Sequence, residues 1–193
     1  MRIYIPIIIS ILSTHLSSQN LPRNLTVEEQ SRLHEIGINR TFTDPPDSIV
    51  YTPAEFDSIA GIIFAWEAYS TLLTELIKEV AEDDTAWVVV DNTTEENSVS
   101  NTLSNANVDM DRVVFQVIPT NSVWIRDYGP WWIIQPDNSR AIIDLVYNRP
   151  RPQDDAYPEL AAGYFGINYY GLGLIEAGGN MLLDGQGAVI VSN

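Results

Sequence analysis

The chain has 193 residues, 45% of them hydrophobic, and its formal net charge at pH 7 is −16. This length supplies enough apolar material for one sizeable core, so a single globular domain is the expectation. A net charge this negative argues against non-specific binding of nucleic acid or of anionic membranes and favours cationic ligands.

The N-terminal residues have the layout of a secretory signal peptide. Arg2 precedes an apolar stretch from Ile3 to Leu12, small polar residues follow, and cleavage is expected between Ser18 and Gln19. The stretch is too short to span a bilayer; a buried strand is the alternative interpretation. We therefore predict a signal peptide over residues 1–18, a secreted or otherwise exported protein, and no membrane span in the mature chain.

The sequence contains no cysteine and two histidines, His15 and His34. His15 falls in the predicted signal peptide, and His34 lies in a polar helical stretch where a surface position is expected. Zinc sites built from cysteine and histidine are thereby excluded. Cys–His and Ser–His–Asp catalytic arrangements within this chain are excluded as well, unless His34 takes part. Nothing in the sequence requires a metal, and no cofactor is predicted.

Residues 19–50 are polar and form a lead-in with one short helix expected from about Val27 to Glu35. The chain then alternates between apolar runs of strand length and stretches with helical spacing. Strand, helix, strand, helix and strand are predicted at 59–66, 70–83, 86–91, 93–105 and 112–119. Thr93 and Glu96 indicate a capping box for the second helix. This order is typical of crossover units on a largely parallel sheet and predicts the α/β class.

Beyond Pro119 the pattern changes. Two strands joined by a Pro-Asp-Asn-Ser turn are expected first. Residues 149–158, RPRPQDDAYP, contain three prolines and are predicted to lack regular structure. A short helix over LAAGYFGI and strand fragments follow, with a tight turn or close ligand approach at Gly178–Gly179 and a hairpin turn at Asp184–Gly185.

The first candidate site residue is Asp127, in the aromatic stretch VWIRDYGPWW. A local ion pair with Arg126, or a cap on the next turn, is the structural alternative. Adjacent side chains of an extended segment point to opposite faces, which disfavours that pair. The stretch follows the C-terminal end of a buried strand, where open α/β sheets place ligands. Trp124, three residues earlier, could cover a flat cation.

The second candidate is the pair Arg149 and Arg151. The neighbouring prolines restrict the backbone, and two guanidinium groups suit a carboxylate or a phosphate. Salt bridges to Asp154 and Asp155 that fasten a loop explain the pair equally well.

Together these stretches resemble one family. WIRDYGP resembles the W-x-R-D-x-G-P signature of the agmatine deiminase and bacterial peptidylarginine deiminase family. NRPRPQDD and AGGNMLLDGQG are most similar to the exported bacterial peptidylarginine deiminases. The resemblance runs from about Thr52 to Asn193. It implies a pentein-type α/β propeller of repeated ββαβ units, incomplete here and roughly its N-terminal half.

The resemblance also implies a chemistry. Enzymes of this family hold a guanidinium between two aspartates, attack its central carbon with a cysteine thiolate, expel ammonia with help from a histidine and release citrulline. Asp127 matches one of the two aspartates and is the implied catalytic residue, whereas Trp124, Arg149 and Arg151 are implied to bind substrate. Small-guanidine deiminases carry glutamate before Gly-Gly; here Ala177 stands there, which favours a peptidyl substrate.

The implied organisation is a signal peptide (1–18), a polar lead-in (19–50) and a partial peptidylarginine deiminase-like domain (51–193). The family's catalytic cysteine and His-x-Asp motif are absent, so the chain is expected to be inactive by itself. An agmatine deiminase-type hydrolase and a non-catalytic relic or binding protein are the alternatives. The expected partner is an arginine-containing peptide or a small guanidine compound, and not nucleic acid.

Overall fold

The computed structural model of the chain describes residues 21–38 and 40–192. The predicted signal peptide lies outside the described residues. The lead-in contains α1 (Val27–Ser31) and a 3-10 turn (Leu33–Glu35), so the short helix predicted there is confirmed. A capping box starts α1: the Thr26 hydroxyl accepts from the Glu29 N–H, and the Glu29 carboxylate accepts from the Thr26 N–H.

The first sheet contains three parallel strands in the order β1-β2-β3. Its elements are β1 (Gly61–Ala65), α2 (Ser70–Asp83), β2 (Thr85–Val90), α3 (Thr93–Asn105) and β3 (Val113–Val117). The predicted alternation is confirmed, and the α/β class with it. One detail of the prediction is wrong, because Asn92 and not Thr93 caps α3, accepting from the N–H groups of Thr94 and Glu95.

The second sheet has the order β4-β5-β6, with β4 antiparallel and β6 parallel to β5, and β7 and β8 form a separate hairpin. The strands are β4 (Trp131–Ile134), β5 (Arg140–Tyr147), β6 (Asn168–Glu176), β7 (Met181–Leu183) and β8 (Val189–Val191). Asp184 accepts from the N–H groups of Gln186 and Ala188, so the predicted hairpin turn is confirmed. The sheets do not close into a propeller over the described residues.

The prediction that residues 149–158 lack regular structure is wrong, because α5 (Pro152–Phe165) begins within them. Pro152 occupies the first helical turn, where its missing N–H breaks no intrahelical bond. Pro158 lies inside the helix, at a cost of about 3 kcal/mol. The buried helix face around Tyr157 and Ala161 compensates for that cost by filling the core.

The core lies on both faces of β2. On one face Val88 packs with Ile77 and Leu103 of α2 and α3, and on the other Val89 packs with Tyr157 of α5. Continuous burial of this kind is typical of a central parallel strand. The α5 helix therefore covers the face of the first sheet opposite to α2 and α3. Within the described residues, none of the helices is long and apolar enough to cross a membrane.

Candidate functional site

The loop after β3 leads to the W-x-R-D stretch and is held by carboxylates of neighbouring elements. Asp154, in the first turn of α5, accepts from the N–H groups of Asn121 (2.6 Å) and Ser122 (3.0 Å) and from the Ser122 hydroxyl (2.6 Å). The buried Tyr128 hydroxyl donates to the Ser122 carbonyl at 2.9 Å. The bonds to Asp154 tie the loop to α5, so its path depends on a helix more than thirty residues further along the chain.

Thr120 anchors the same loop to the first sheet. Its N–H donates to Asp91 Oδ1 at 3.1 Å, beyond the end of β2, and its hydroxyl donates to Glu67 Oε1 at 2.9 Å, beyond the end of β1. The loop therefore spans the C-terminal ends of all three parallel strands, which is the edge where open α/β sheets place ligands.

Asp127 lies in the short helix α4 (Ile125–Tyr128) and is half-buried. Its Oδ1 accepts the N–H of Gly179 at 3.2 Å, in a 3-10 turn (Gly178–Asn180) after β6. A Cβ on Gly179 would collide with Asp127 Oδ1, and one on Gly178 would collide with the Arg126 carbonyl. Both glycines therefore allow the close approach of this turn to α4.

Arg126 and Asp127 do not form an ion pair with each other. Arg126 pairs with Glu55, donates to the Met181 carbonyl at 3.3 Å and lies over the Trp131 ring, 5.4 Å from its centroid. The expectation of an extended segment here is wrong, because the two residues belong to α4. The inference drawn from it still holds: Arg126 is engaged elsewhere, and Asp127 is left beside a backbone turn.

Trp124 stands at the N-terminal cap of α4, and its carbonyl accepts the Asp127 N–H at 2.8 Å. The half-buried indole packs against the core that contains Tyr128 and Ile142. Its Nε1–H donates to the carbonyl of Leu21 in the lead-in at 2.8 Å. Trp124 and Asp127 thus lie one helical turn apart, and Leu21 of the lead-in contacts the N–H edge of the indole.

Arg149 and Arg151 follow β5 and also contact the lead-in. Arg149 Nη1 donates to Asn148 Oδ1 at 2.8 Å, whereas Nε and Nη2 reach the Arg23 carbonyl at 3.4 Å. Arg151 is buried; its Nε donates to Glu29 Oε1 at 2.6 Å and its Nη2 to the Pro22 carbonyl at 2.7 Å. Among the described residues, Arg151 Nη1 has no hydrogen-bond partner.

The aspartates proposed as alternative partners of these arginines are engaged otherwise. Asp154 binds the loop after β3, and Asp155 forms a salt bridge with Arg40 at 3.0 Å and accepts the Tyr147 N–H at 2.7 Å. The idea of an RPRP loop fastened by Asp154 and Asp155 is therefore wrong. The substrate-binding roles of Trp124, Arg149 and Arg151 and the catalytic role of Asp127 stay predictions.

Tyr147 is a buried residue near the predicted site that the sequence analysis did not single out. It is buried at the end of β5, and this burial raises the pKa of its hydroxyl. The charges of Arg151 and Arg149 oppose the rise, and the charge of Asp127 adds to it. Its position at the C-terminal end of a predicted strand was the signal available. Tyr147 is therefore close enough to three of the four predicted site residues for their charges to act on it.

Glu176 ends the next strand, β6, and stabilises the glycine turn. Its Oε1 accepts from the Ala177 N–H at 3.0 Å and from Asn180 Nδ2 at 3.1 Å. The carboxylate at this position is thus bound to the turn that contacts Asp127.

Two buried aspartates near the site have unusual acidities. Burial raises the pKa of Asp154 to about 7, although the bonds from Ser122 and Asn121 oppose the rise. Burial likewise raises the pKa of Asp144 to about 7, against the opposing charge of Arg40 at 2.6 Å. Both groups consequently change protonation near neutral pH. Over the described residues, no cluster of His, Cys, Asp and Glu side chains could hold a metal ion.

Several proteins with a similar sequence or fold are named agmatine deiminases. A Selenomonas ruminantium protein named "Putative agmatine deiminase" is 26% identical over 164 residues, covering 74% of this chain and 43% of that protein. The structure of the C. jejuni agmatine deiminase superimposes with a TM-score of 0.61 at 19% identity, over 75% of this chain and 46% of that one. The agmatine deiminase of Enterococcus faecalis gives 0.63 at 19% identity, over 72% and 42%.

These structural matches show a shared fold, and the chain spans less than half the length of each of these relatives. The model of the Porphyromonas-type peptidyl-arginine deiminase family matches residues 52–193, which is most of the chain and contains Asp127, Trp124 and both arginines. The chain belongs to the Porphyromonas-type peptidyl-arginine deiminase family.

Proposed function

We propose that this chain is the N-terminal half of an exported peptidylarginine deiminase-like hydrolase with a pentein-type propeller. The reaction of the whole protein would convert peptidyl arginine and water to citrulline and ammonia. The observation that carries the proposal is the contact of Asp127 with the Gly178–Gly179 turn, just after the loop that spans the C-terminal ends of the first sheet. Membership of the family supports it.

Asp127 has the properties needed to hold a guanidinium. It is half-buried, and the hydrogen bond from the Gly179 N–H uses only part of its accepting capacity, because a carboxylate offers about four acceptor positions. A guanidinium presents N–H donors in a planar fork that matches a carboxylate. The indole of Trp124, one turn away, supplies an apolar surface for the planar cation.

The chain by itself should bind an arginine-type substrate without converting it to citrulline. Attack on the guanidinium carbon requires a nucleophile, and the sequence contains no cysteine. Among the described residues the single histidine is His34, which is exposed in the 3-10 turn of the lead-in. We therefore expect no citrulline above background from the purified chain with an arginine peptide. Citrulline formation would contradict this expectation.

The alternatives to this proposal are an agmatine deiminase-type activity and a non-catalytic relic. An agmatine deiminase-type activity is favoured by the names of the similar proteins. A peptidyl substrate is favoured by the family match and by the Arg149–Arg151 pair, which is suited to a substrate carboxylate. Sequencing the gene beyond codon 193 distinguishes a non-catalytic relic from an enzyme whose second half is encoded downstream. A His-x-Asp motif followed by a late cysteine supports the enzyme, and random sequence supports the relic.

The binding role of Asp127 is testable on the chain as it stands. Agmatine and a peptide with a C-terminal arginine are titrated against the ¹⁵N-labelled protein, with Asp127→Asn as the test and Asp111→Asn, on an exposed 3-10 turn, as the matched control. Losing a charge-assisted bond costs about 1.5–3 kcal/mol, or roughly ten- to a hundredfold in affinity. Equal affinities in the two variants would overturn the proposal.

Export is tested separately. N-terminal sequencing of protein recovered from the culture medium or the periplasm should begin at Gln19. Retention of Met1 in recovered protein would contradict the signal peptide.

A further inference from the structure

The lead-in lies across three of the four predicted site residues. The carbonyls of Leu21, Pro22 and Arg23, which are consecutive in the chain, accept hydrogen bonds from Trp124, Arg151 and Arg149 at 2.8, 2.7 and 3.4 Å. Bonds of this kind hold the main chain of a segment and do not depend on its side chains. Residues 21–29, called the strap below, are therefore held through main-chain carbonyls; they bend at Arg23 and enter α1 at Val27.

A carboxylate completes this contact. Glu29, at the end of the strap, accepts from Arg151 Nε at 2.6 Å, and both side chains are almost fully buried. Burial opposes ionisation of Glu29, but the bonds from Arg151 and Thr26 outweigh it and lower its pKa below the usual value. Arg151 thus already binds an ionised carboxylate, the group for which its pairing with Arg149 was predicted.

We propose that the strap is a built-in competitor of the substrate: it occupies Trp124, Arg149 and Arg151 until a peptide with a free carboxylate displaces it. The inference rests on the proposed function, because it takes Asp127 as the guanidinium site beside these residues. Beyond that function, it makes the lead-in a competitor of the substrate for the same hydrogen-bond donors.

Three observations favour a displaceable strap over a permanent part of the core. The strap lies outside residues 52–193, the part of the chain that matches the family. Its helix, α1, has five residues, too few to be stable without its contacts, and Val27 on it is 85% exposed. The donors are also incompletely used, since Arg149 reaches Arg23 only at 3.4 Å and Arg151 Nη1 has no partner among the described residues.

The consequence is a measurable competition. A ligand that binds only the open form has an apparent dissociation constant raised by the inverse of the open fraction. While the strap is mostly bound, each tenfold increase in the open fraction should lower the apparent dissociation constant of the peptide by up to tenfold. Agmatine has no carboxylate and no peptide carbonyl, so its binding at Asp127 should be insensitive to the strap.

The experiment compares two neighbouring glutamates of α1. Glu29→Gln removes the charge that holds Arg151, and Glu28→Gln changes an exposed glutamate beside it as the matched control. N-acetyl-glycyl-arginine with a free C-terminus is titrated against each full chain. The reporter is the Trp124 indole N–H signal, one of five tryptophan signals, assigned with Trp124→Phe.

Peptide affinity should rise at least fivefold in Glu29→Gln and change less than twofold in Glu28→Gln. In the unsubstituted chain the peptide should shift the Trp124 signal and accelerate amide exchange in the strap. Thr26→Ala is a second test, because it loosens the cap of α1 without leaving Arg151 unpaired. It should strengthen peptide binding roughly fivefold.

Each outcome decides between the two proposals. If agmatine binds through Asp127 but peptide affinity stays unchanged or falls in folded Glu29→Gln and Thr26→Ala, the strap is a structural support and the inference is overturned. If neither agmatine nor the peptide binds to any variant, the proposed function fails and the competition by the strap fails with it. Stronger peptide binding in both variants, with unchanged agmatine binding, supports the strap as a competitor.

Discussion

The lead-in is attached to the rest of the chain by a buried salt-bridge cluster whose contribution to stability can be measured. Arg40 forms salt bridges with Asp144 at 2.6 Å and with Asp155 at 3.0 Å, and all three side chains are at least nine-tenths buried. Arg32, in the same lead-in, pairs with Glu35 at 2.7 Å, but both side chains are more than a third exposed. The two arginines therefore differ chiefly in the burial of their ion pairs.

Replacing each arginine with methionine keeps most of the apolar stem and removes the charge. Arg40→Met leaves two buried carboxylates without their cation, and breaking a buried pair in this way costs about 3–5 kcal/mol. Arg32→Met removes an exposed pair, worth about 0–1 kcal/mol. Against a total stability of about 5–15 kcal/mol, the first loss is large and the second is small.

The pH dependence of the Arg40→Met deficit provides an internal check. The pKa of Asp144 is raised to about 7 in the folded chain from an ordinary value of 3.8. At pH 8 this carboxylate is charged and needs Arg40, whereas at pH 5.5 it is protonated and needs the cation less. The free-energy deficit of Arg40→Met should accordingly be larger at pH 8 than at pH 5.5.

Urea denaturation followed by tryptophan fluorescence measures these free energies of unfolding, provided that the m-values of the variants agree. Arg32→Met serves as the control at both pH values. A loss below about 1 kcal/mol for Arg40→Met at pH 8, or equal losses for the two variants, would refute the argument that burial determines the strength of these pairs.

Two further predictions concern the site. As the pH falls from 8 to 6, the free energy of unfolding should rise by about 1 kcal/mol from Asp154 alone. The reason is that the pKa of Asp154 is about 7 in the folded chain and 3.8 in the unfolded chain, so the folded chain takes up a proton in this range and the unfolded chain does not. Urea denaturation at the two pH values should show that Asp154→Asn loses this part of the pH dependence. Gly179→Ala should weaken agmatine binding in the NMR titration, because the new Cβ collides with Asp127 Oδ1. Gly163→Ala, on an open face of α5, should leave binding unchanged and stabilise the chain by up to about 1 kcal/mol.

An unchanged pH slope in Asp154→Asn would mean that another group, such as Asp144, carries the titration. Equal agmatine affinities of Gly179→Ala and Gly163→Ala would show that the glycine turn does not position Asp127.

Local sequence patterns predicted helices and strands correctly where the buried residues repeat with the period of the helix or the strand. The helix at Ser70–Asp83 was predicted with the bounds that the structure shows, because its apolar residues repeat at helical spacing along one buried face. The strands of the first sheet and the turn at Asp184 were likewise readable from a few adjacent residues. The same local reasoning failed at α5, where burial of Tyr157 and its neighbours outweighs the local effect of Pro158.

The sequence by itself determined the α/β class and the family, since each depends on adjacent residues or on short motifs. Only the tertiary structure decided which charges meet. Arg126 pairs with Glu55, 71 residues away, and Arg151 with Glu29, 122 residues away. No periodicity links residues so far apart, because their contact depends on how the lead-in packs on the folded sheets and on which carboxylates that packing buries.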